Sequence, residues 1–265
     1  MRMLKYLLIL LTFTLQSAYA QNIYYVLNVK GNVRLEKTKT PLRVNDQISG
    51  QDALIFGSPN DVVAVISTKT GRMILRPKPS AKSSELVSVV SDILNPGTAR
   101  LSTRGGGVTN IVELENYFGA DTLYVLGTNK VWISPSAFPM NEANFFFVRY
   151  TYKGETINKK LNFEKDSLIL SASELYKIDN APINARDVSD ATLFYKQGAS
   201  ASEKSAFSVS FPNEALVKQA LLTFKTRSGL KGNKLLDELT PLLRDMYGRT
   251  DKNNVSNWAR KNLNP

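Results

Sequence analysis

The stretch Tyr24–Arg76, YYVLNVKGNVRLEKTKTPLRVNDQISGQDALIFGSPNDVVAVISTKTGRMILR, decides the fold. Val29, Gly31, Val33 and Leu35 fall on one face of an extended chain and Lys30, Asn32, Arg34 and Glu36 on the other, the period of a sheet with one wet side. Lys37–Pro41 ends that strand. Leu42, Val44 and Ile48 resume the apolar positions around Asn45-Asp46, residue types that tolerate tight turns. Ala53–Phe56 is a brief apolar run closed by Gly57-Ser58-Pro59-Asn60, and Val62–Ile66 is a longer one rich in β-branched residues. Lys69-Thr70-Gly71 then leads into Met73, Ile74 and Leu75. Short strands with no helical period among them predict a small meander that curls into a barrel or sandwich.

The order G-x-V-x-L (Gly31, Val33, Leu35), L-x-V-N-D-x-I (Leu42 to Ile48), D-x-L (Asp52, Leu54), an aliphatic strand, and a glycine hairpin before Ile74-Leu75 resembles the FecR-like domain. That is the periplasmic β-domain named for the ferric citrate regulator. The family pattern has Gly-Asp where this chain has Asn45-Asp46, and its regulator members carry a cytoplasmic segment and a membrane helix ahead of the domain, neither of which is read here. The resemblance covers about a fifth of the chain. It implies a β-domain in the envelope and protein contacts near outer-membrane machinery.

Ahead of this stretch, Arg2 and Lys5 form a basic head, Tyr6–Leu15 an apolar core, and Ala18-Tyr19-Ala20 a small-x-small site before Gln21. These predict a secretory signal peptide over residues 1–20, too short to anchor across a bilayer, with an uncleaved anchor as the alternative. With no Cys in the chain, neither a lipid-modified cysteine nor a disulfide is available. Loss of Arg2 and Lys5 with the leader takes the formal charge from +11 to +9. The remaining length suffices for one large or two ordinary domains. An exported basic protein meets lipopolysaccharide, anionic lipid, acidic glycans and wall peptides first, so nucleic acid is a minor expectation and a periplasmic or extracellular location the leading one.

The absent residues exclude most catalytic chemistry. Without His or Cys there is no Ser-His-Asp triad, thiol nucleophile, His-ligated zinc or haem of the usual ligation. Carboxylate, Ser-Lys and calcium chemistry survive. Arg104-Gly105-Gly106-Gly107 lacks the Lys-Ser/Thr ending of a nucleotide loop and reads as a connector. Glu113 and Glu115 diverge if Ile111–Phe118 is a helix, the better reading. Glu164, Asp166 and Glu174 lack calcium-loop spacing, and Ser202 and Lys204 do not stand in a Ser-x-x-Lys arrangement. Asp187 and Asp190 fall in a polar loop. No catalytic, metal or cofactor-binding residue is therefore expected, and no cofactor. The rival class is a carboxylate-based glycan hydrolase, which needs two facing carboxylates.

Onward from Arg76, a Pro, Ser and Lys linker over Lys78–Ser84 closes a first domain (21–80). Leu86, Val89, Val90 and Ile93 then predict a short amphipathic helix over Glu85–Leu94. Residues 85–211 read as a second, β-rich domain. Within it, Phe145–Tyr152 is apolar on both faces, the mark of a central strand covered on both sides; an exposed aromatic face for sugar or peptide stacking is the functional alternative. After Pro212 the period changes. Asn213 caps a helix stopped by Ser228-Gly229, Asn233 caps a second that Pro241 kinks or delays, and a third carries Val255, Trp258 and Leu263. The fold class expected is α+β, with this helical segment (212–265) packed on the second domain.

Ten basic and five acidic residues lie between Asn213 and Pro265, so +5 of the mature charge sits in the last fifth of the chain. The expected function is non-catalytic binding, to an envelope protein or to an anionic polysaccharide or lipid surface. Lys218, Lys225, Arg227, Lys231, Lys234, Arg260 and Lys261, which have no evident core role, are the expected contact residues.

Overall fold

The computed structural model describes residues 22–78, 86–96, 107–119 and 121–265. The expected leader, most of the linker Lys78–Ser84 and Arg104-Gly105-Gly106 lie outside them. The chain is α+β and strand-rich, with several sheets, none of them closed. No helix among the described residues is long and apolar enough to cross a membrane.

The first β unit comprises β1 (Ile23–Lys30), β2 (Val33–Leu35), β3 (Gln47–Ser49), β4 (Ala53–Phe56), β5 (Val62–Ser67), β6 (Gly71–Leu75), β7 (Leu86–Val89) and β8 (Leu94–Pro96). They pair antiparallel in two sheets, β3-β1-β5-β6-β8 and β2-β4-β7. This is no simple meander, because β1 stands between β3 and β5. The single strand expected over 29–36 is two strands in two sheets, separated at Gly31, where φ is +95°. A Cβ at Gly31 would lie 1.9 Å from Asp61 Oδ1, so both the space and the backbone there require glycine. Asp61 in turn accepts backbone N–H groups from Asn32 (3.2 Å), Gly57 (3.0 Å) and Ser58 (3.0 Å), tying two turns to one carboxylate.

The amphipathic helix expected over Glu85–Leu94 is not formed. Its described residues make β7, a 3-10 turn at Val90–Asp92, and β8. Register with β4 (Ala53↔Val89, Phe56↔Leu86) and β6 (Leu75↔Leu94) satisfies the backbone of this segment. Non-local pairing thus overrides a local three-and-four spacing, and residues 86–96 complete the sheets of the first unit.

The second β unit contains α1 (Ile111–Phe118), β9 (Leu123–Tyr124), β10 (Thr128–Trp132), β11 (Asn144–Tyr152), β12 (Glu155–Lys160), β13 (Asn162–Glu164), β14 (Ser167–Ser171), α2 (Ala172–Leu175), β15 (Lys177–Ile178), β16 (Ala181–Pro182), β17 (Val188–Gln197), β18 (Ser200–Ala206) and β19 (Val209–Ser210). A four-stranded sheet, β12-β11-β17-β18, and a three-stranded one, β10-β14-β13, share a core that includes Phe118, Val131, Phe146, Val148, Tyr150, Leu168 and Leu193.

The chain ends in α3 (Glu214–Ser228), α4 (Gly232–Met246), β20 (Arg249–Thr250) and α5 (Lys252–Leu263). Asn213 Oδ1 caps α3 by accepting from the N–H groups of Ala215 (3.0 Å) and Leu216 (3.2 Å), and Gly229 stops it at φ +67°. In α4 the cap position falls on Lys231, not Asn233, and Pro241 lies inside a helix that runs on to Met246. Asp251 caps α5, its Oδ1 accepting from Asn254 N at 2.9 Å.

These helices were expected on the second β unit, but α3 and α4 pack chiefly on the first. The cause lies in β5, which is buried along its whole length. Val63 and Val65 face the β2-β4-β7 sheet, while Val62, Ala64 and Ile66, with Leu27 and Ile74, face the helices. A strand apolar on both faces needs two covers. Specific ties fix the docking: Asn28 Nδ2 donates to Met246 O (3.2 Å), Thr223 donates to Asn45, and Arg227 lies over the Tyr25 ring. The segment also holds the second unit. Asn254, 2% exposed, accepts from Leu126 N (2.8 Å) and donates to Leu126 O (2.9 Å) and Thr128 O (3.2 Å). Strands β20 and β19 flank β9 in parallel.

Candidate functional site

The seven expected contact cations divide into two groups. Lys225 Nζ donates to Leu263 O (2.8 Å) and Asn264 O (2.5 Å), closing the C-terminal carbonyls of α5. Arg227 stacks its guanidinium 3.6 Å from the Tyr25 ring centroid. Both are fastened into the fold. Lys218, Lys231, Lys234, Arg260 and Lys261 are exposed, and none takes part in the ion pairs formed among the described residues. Arg260 and Lys261 occupy the last turn of α5, where the helix dipole favours cations. Lys231 and Lys234 stand at the N-terminus of α4, whose first turn carries no acidic residue, so the dipole there adds to their charge instead of offsetting it.

Two hollows bear on the carboxylate rival. A cleft of about 600 Å³ is lined by Tyr150, Tyr176, Phe207 and Phe211 with Asn184 and Asp190, which contributes its one carboxylate; Asp187 is not in the lining. A shallow hollow of about 650 Å³ between α1 and β18 is lined by both Glu115 and Glu203, beside Lys204. Both glutamates are exposed. Ile111–Phe118 is helical, capped by Asn110, and Glu113 turns back to accept from Thr109 N (2.8 Å) and Oγ1 (2.6 Å). Glu113 and Glu115 therefore do not converge. No group of three or more Asp or Glu side chains suited to a metal ion occurs among the described residues.

A buried polar network went unread in the sequence. Tyr117 OH donates to Asp251 Oδ2 (3.0 Å) and accepts from Asn129 Nδ2 (3.0 Å). Burial, then the neighbouring Asp251 charge, push the phenol far above its ordinary range, so it stays neutral and works as a strut. Arg249 donates to Asn116 O (2.7 Å), Tyr117 O (2.7 Å) and Asp121 O (2.6 Å), capping α1 from β20. Asp251 and Arg249 lie more than a hundred residues from the groups they meet, and no local pattern announces them.

Strand β11 is interior to its sheet, as expected, but only one of its faces is core. Phe146, Val148 and Tyr150 are buried. Phe145, Phe147 and Arg149 point the other way, opposite Lys196, Phe194 and Thr192 on β17, with Lys160 opposite Phe147 and Asn158 opposite Arg149 on β12. Phe147 stacks on Phe194 at 5.2 Å and 16°, and meets Phe145 edge-on at 6.4 Å. The Arg149 guanidinium lies 4.3 Å from the Phe194 centroid; Lys160 and Lys196 Nζ lie 4.5 and 5.3 Å from that of Phe145. The face expected to be covered by another layer carries its own cations.

Comparison with known proteins returned no match, whether to a family model, a curated sequence or a solved structure.

Proposed function

We propose that the chain is an exported, non-catalytic binding protein of the bacterial cell envelope, in the periplasm or at the surface, whose partner is an acidic envelope protein or an anionic glycan or lipid surface. In this reading the first β unit is FecR-like, and the helical segment joins it to the second. The observation that carries it is the set of exposed, unpaired cations on α3, α4 and α5, above all Lys231 and Lys234, whose position at a helix N-terminus costs local stability of about 0.3–1 kcal/mol each. An anion docking there offsets that cost. Reversal of Lys218, Lys231, Lys234, Arg260 and Lys261 to Glu tests the reading. Binding to envelope extract should fall with this variant and with salt, as the Debye length shrinks to about 3 Å near 1 M. Binding that survives both discards it. Lys225 and Arg227 are left out of the set because the fold uses them.

The shared lining of one hollow by Glu115 and Glu203 supports the second reading, a carboxylate-based glycan hydrolase. New reducing ends on incubation with envelope glycan, lost in E115Q/E203Q, would decide for it.

A further inference from the structure

The outer face of the β12-β11-β17-β18 sheet is not explained by the helical cations, and its chemistry is more specific than surface charge. Three rings, Phe145, Phe147 and Phe194, occupy adjacent positions across β11 and β17. Phe147 is only 9% exposed although it faces away from the unit's core, because neighbouring side chains cover it. Arg149, Lys160 and Lys196 lie over the rings at cation–π distances. A ring beneath a cation lowers its freedom and holds it in place. The Arg149 fork is fixed further, its Nε donating to Asn158 Oδ1 at 2.9 Å. Two carboxylates border the group: Glu142, which pairs with Lys160 at 3.3 Å while itself 96% exposed, and Glu203 opposite Phe194 on β18. An exposed pair of the first kind is worth about 0–1 kcal/mol and yields readily to a competing anion.

We propose that this face is a binding platform for an acidic polysaccharide. It shares an anionic partner with the reading above but not its surface. Three positioned cations spread over a sheet face, Arg149 and Lys160 exposed and Lys196 half-buried, match anionic groups repeated along a chain, not a single small anion, which would need an enclosing pocket. Uronic acid carboxylates meet the fork of Arg149 and the ammonium groups of Lys160 and Lys196, while sugar C–H groups pack on the ring edges between them. Single-stranded nucleic acid fits less well, since base stacking needs open ring faces, and here Phe147 and Phe194 stack on each other with Arg149 over Phe194, while Lys160 and Lys196 lie over Phe145.

The test titrates the full chain with polygalacturonate, neutral dextran and oligo-dT, comparing wild type with R149Q/K160Q/K196Q, F145L and K231Q/K234Q. Polygalacturonate should bind the triple variant at least 10-fold more weakly, with a shallower salt dependence and an unchanged melting temperature. F145L keeps every charge but removes the ring under Lys160 and Lys196, and should bind several-fold more weakly. K231Q/K234Q, on the helical surface assigned above to an anionic partner, should weaken polygalacturonate binding by a smaller factor than the triple variant does, and dextran should not bind. If the triple variant melts early, the single variants K160Q and K196Q with intact melting decide by the same criterion. Undiminished binding by the triple variant or F145L, equal binding of dextran, tighter binding of oligo-dT, or no binding of polygalacturonate overturns the proposal. Loss of polygalacturonate binding in K231Q/K234Q alone overturns it while leaving the helical contact surface standing.

Discussion

Arg72 Nη1 on β6 lies 3.2 Å from Asp245 Oδ2 on α4, with the two side chains 13% and 12% exposed, yet the atoms do not meet hydrogen-bond geometry and neither has another partner. The pair joins the helical cover to the sheet beneath it. Burial raises the Asp245 carboxyl above its ordinary value of 3.8, and the charges of Arg72, Arg244 and Arg76 only partly offset that.

A carboxyl raised in the folded state contributes stability that is fully present below its unfolded value and lost as pH climbs through the folded one. Relative to D245N, the wild-type protein should therefore lose melting temperature as pH rises just above 3.8. Thermal melts of both proteins from pH 3.5 upward measure this, and a difference curve of opposite slope would show the arginines winning over burial.

The same pair predicts a non-additive cycle. R72M leaves Asp245 only the charges of Arg244 and Arg76, and D245L leaves Arg72 without its ion-pair partner; each should cost up to about 3 kcal/mol, whereas R72M/D245L together should cost less than either. Denaturant melts of the four proteins complete the cycle.

Asn254→Ala removes the three hydrogen bonds to Leu126 and Thr128 and leaves buried backbone groups of Leu126 unsatisfied. The expected cost is about 3 kcal/mol, or a fall in melting temperature of roughly 6–12 °C for a chain of this size. A loss below 2 °C by calorimetry would mean that another group takes over the loop.

Asp61→Ala frees the N–H groups of Asn32 and Ser58 and leaves that of Gly57 only its bond to Asn32 O (2.9 Å), and should cost about 2–4 kcal/mol because hydrogen bonds to a charged acceptor are the stronger ones. Gly31→Ala should do comparable damage through positive φ and the clash with the same carboxylate. In G31A/D61A the clash is gone, so the double variant should be less destabilised than the two single losses added, as urea midpoints would show.

Elements whose signals are local were readable. Asn213 and Gly229 bound α3 because a cap side chain and a left-handed stop act within one turn, and Ala53–Phe56 and Val62–Ser67 are strands with the apolar content they display. What failed was non-local. Leu86, Val89, Val90 and Ile93 fit a helix face on spacing alone, and only β4 and β6, both upstream, make them strands and a turn. The apolar run of β5 carried the sign of two covers, but nothing in it says that one cover arrives about 150 residues later. Among the candidate contact residues, composition located the basic segment but could not separate Lys225 and Arg227, committed to Leu263 and Tyr25, from their free neighbours. The alternation of Phe145, Phe147 and Arg149 was visible; that Lys160 and Lys196 join them depends on register between strands.

The burial of β5 on both faces sets an order of events during synthesis. Leu27, Val62, Ala64, Ile66 and Ile74 emerge early, and the side chains that cover them, from Val217 to Leu263, emerge last. Until then one side of the first sheet is wet and apolar, the kind of surface on which chains associate with one another. Closing it means joining segments separated by most of the chain, a slow step on entropic grounds. A chain interrupted anywhere before α3 is therefore left with a sticky sheet instead of a smaller working protein, so nascent and truncated forms have the greatest need of a chaperone.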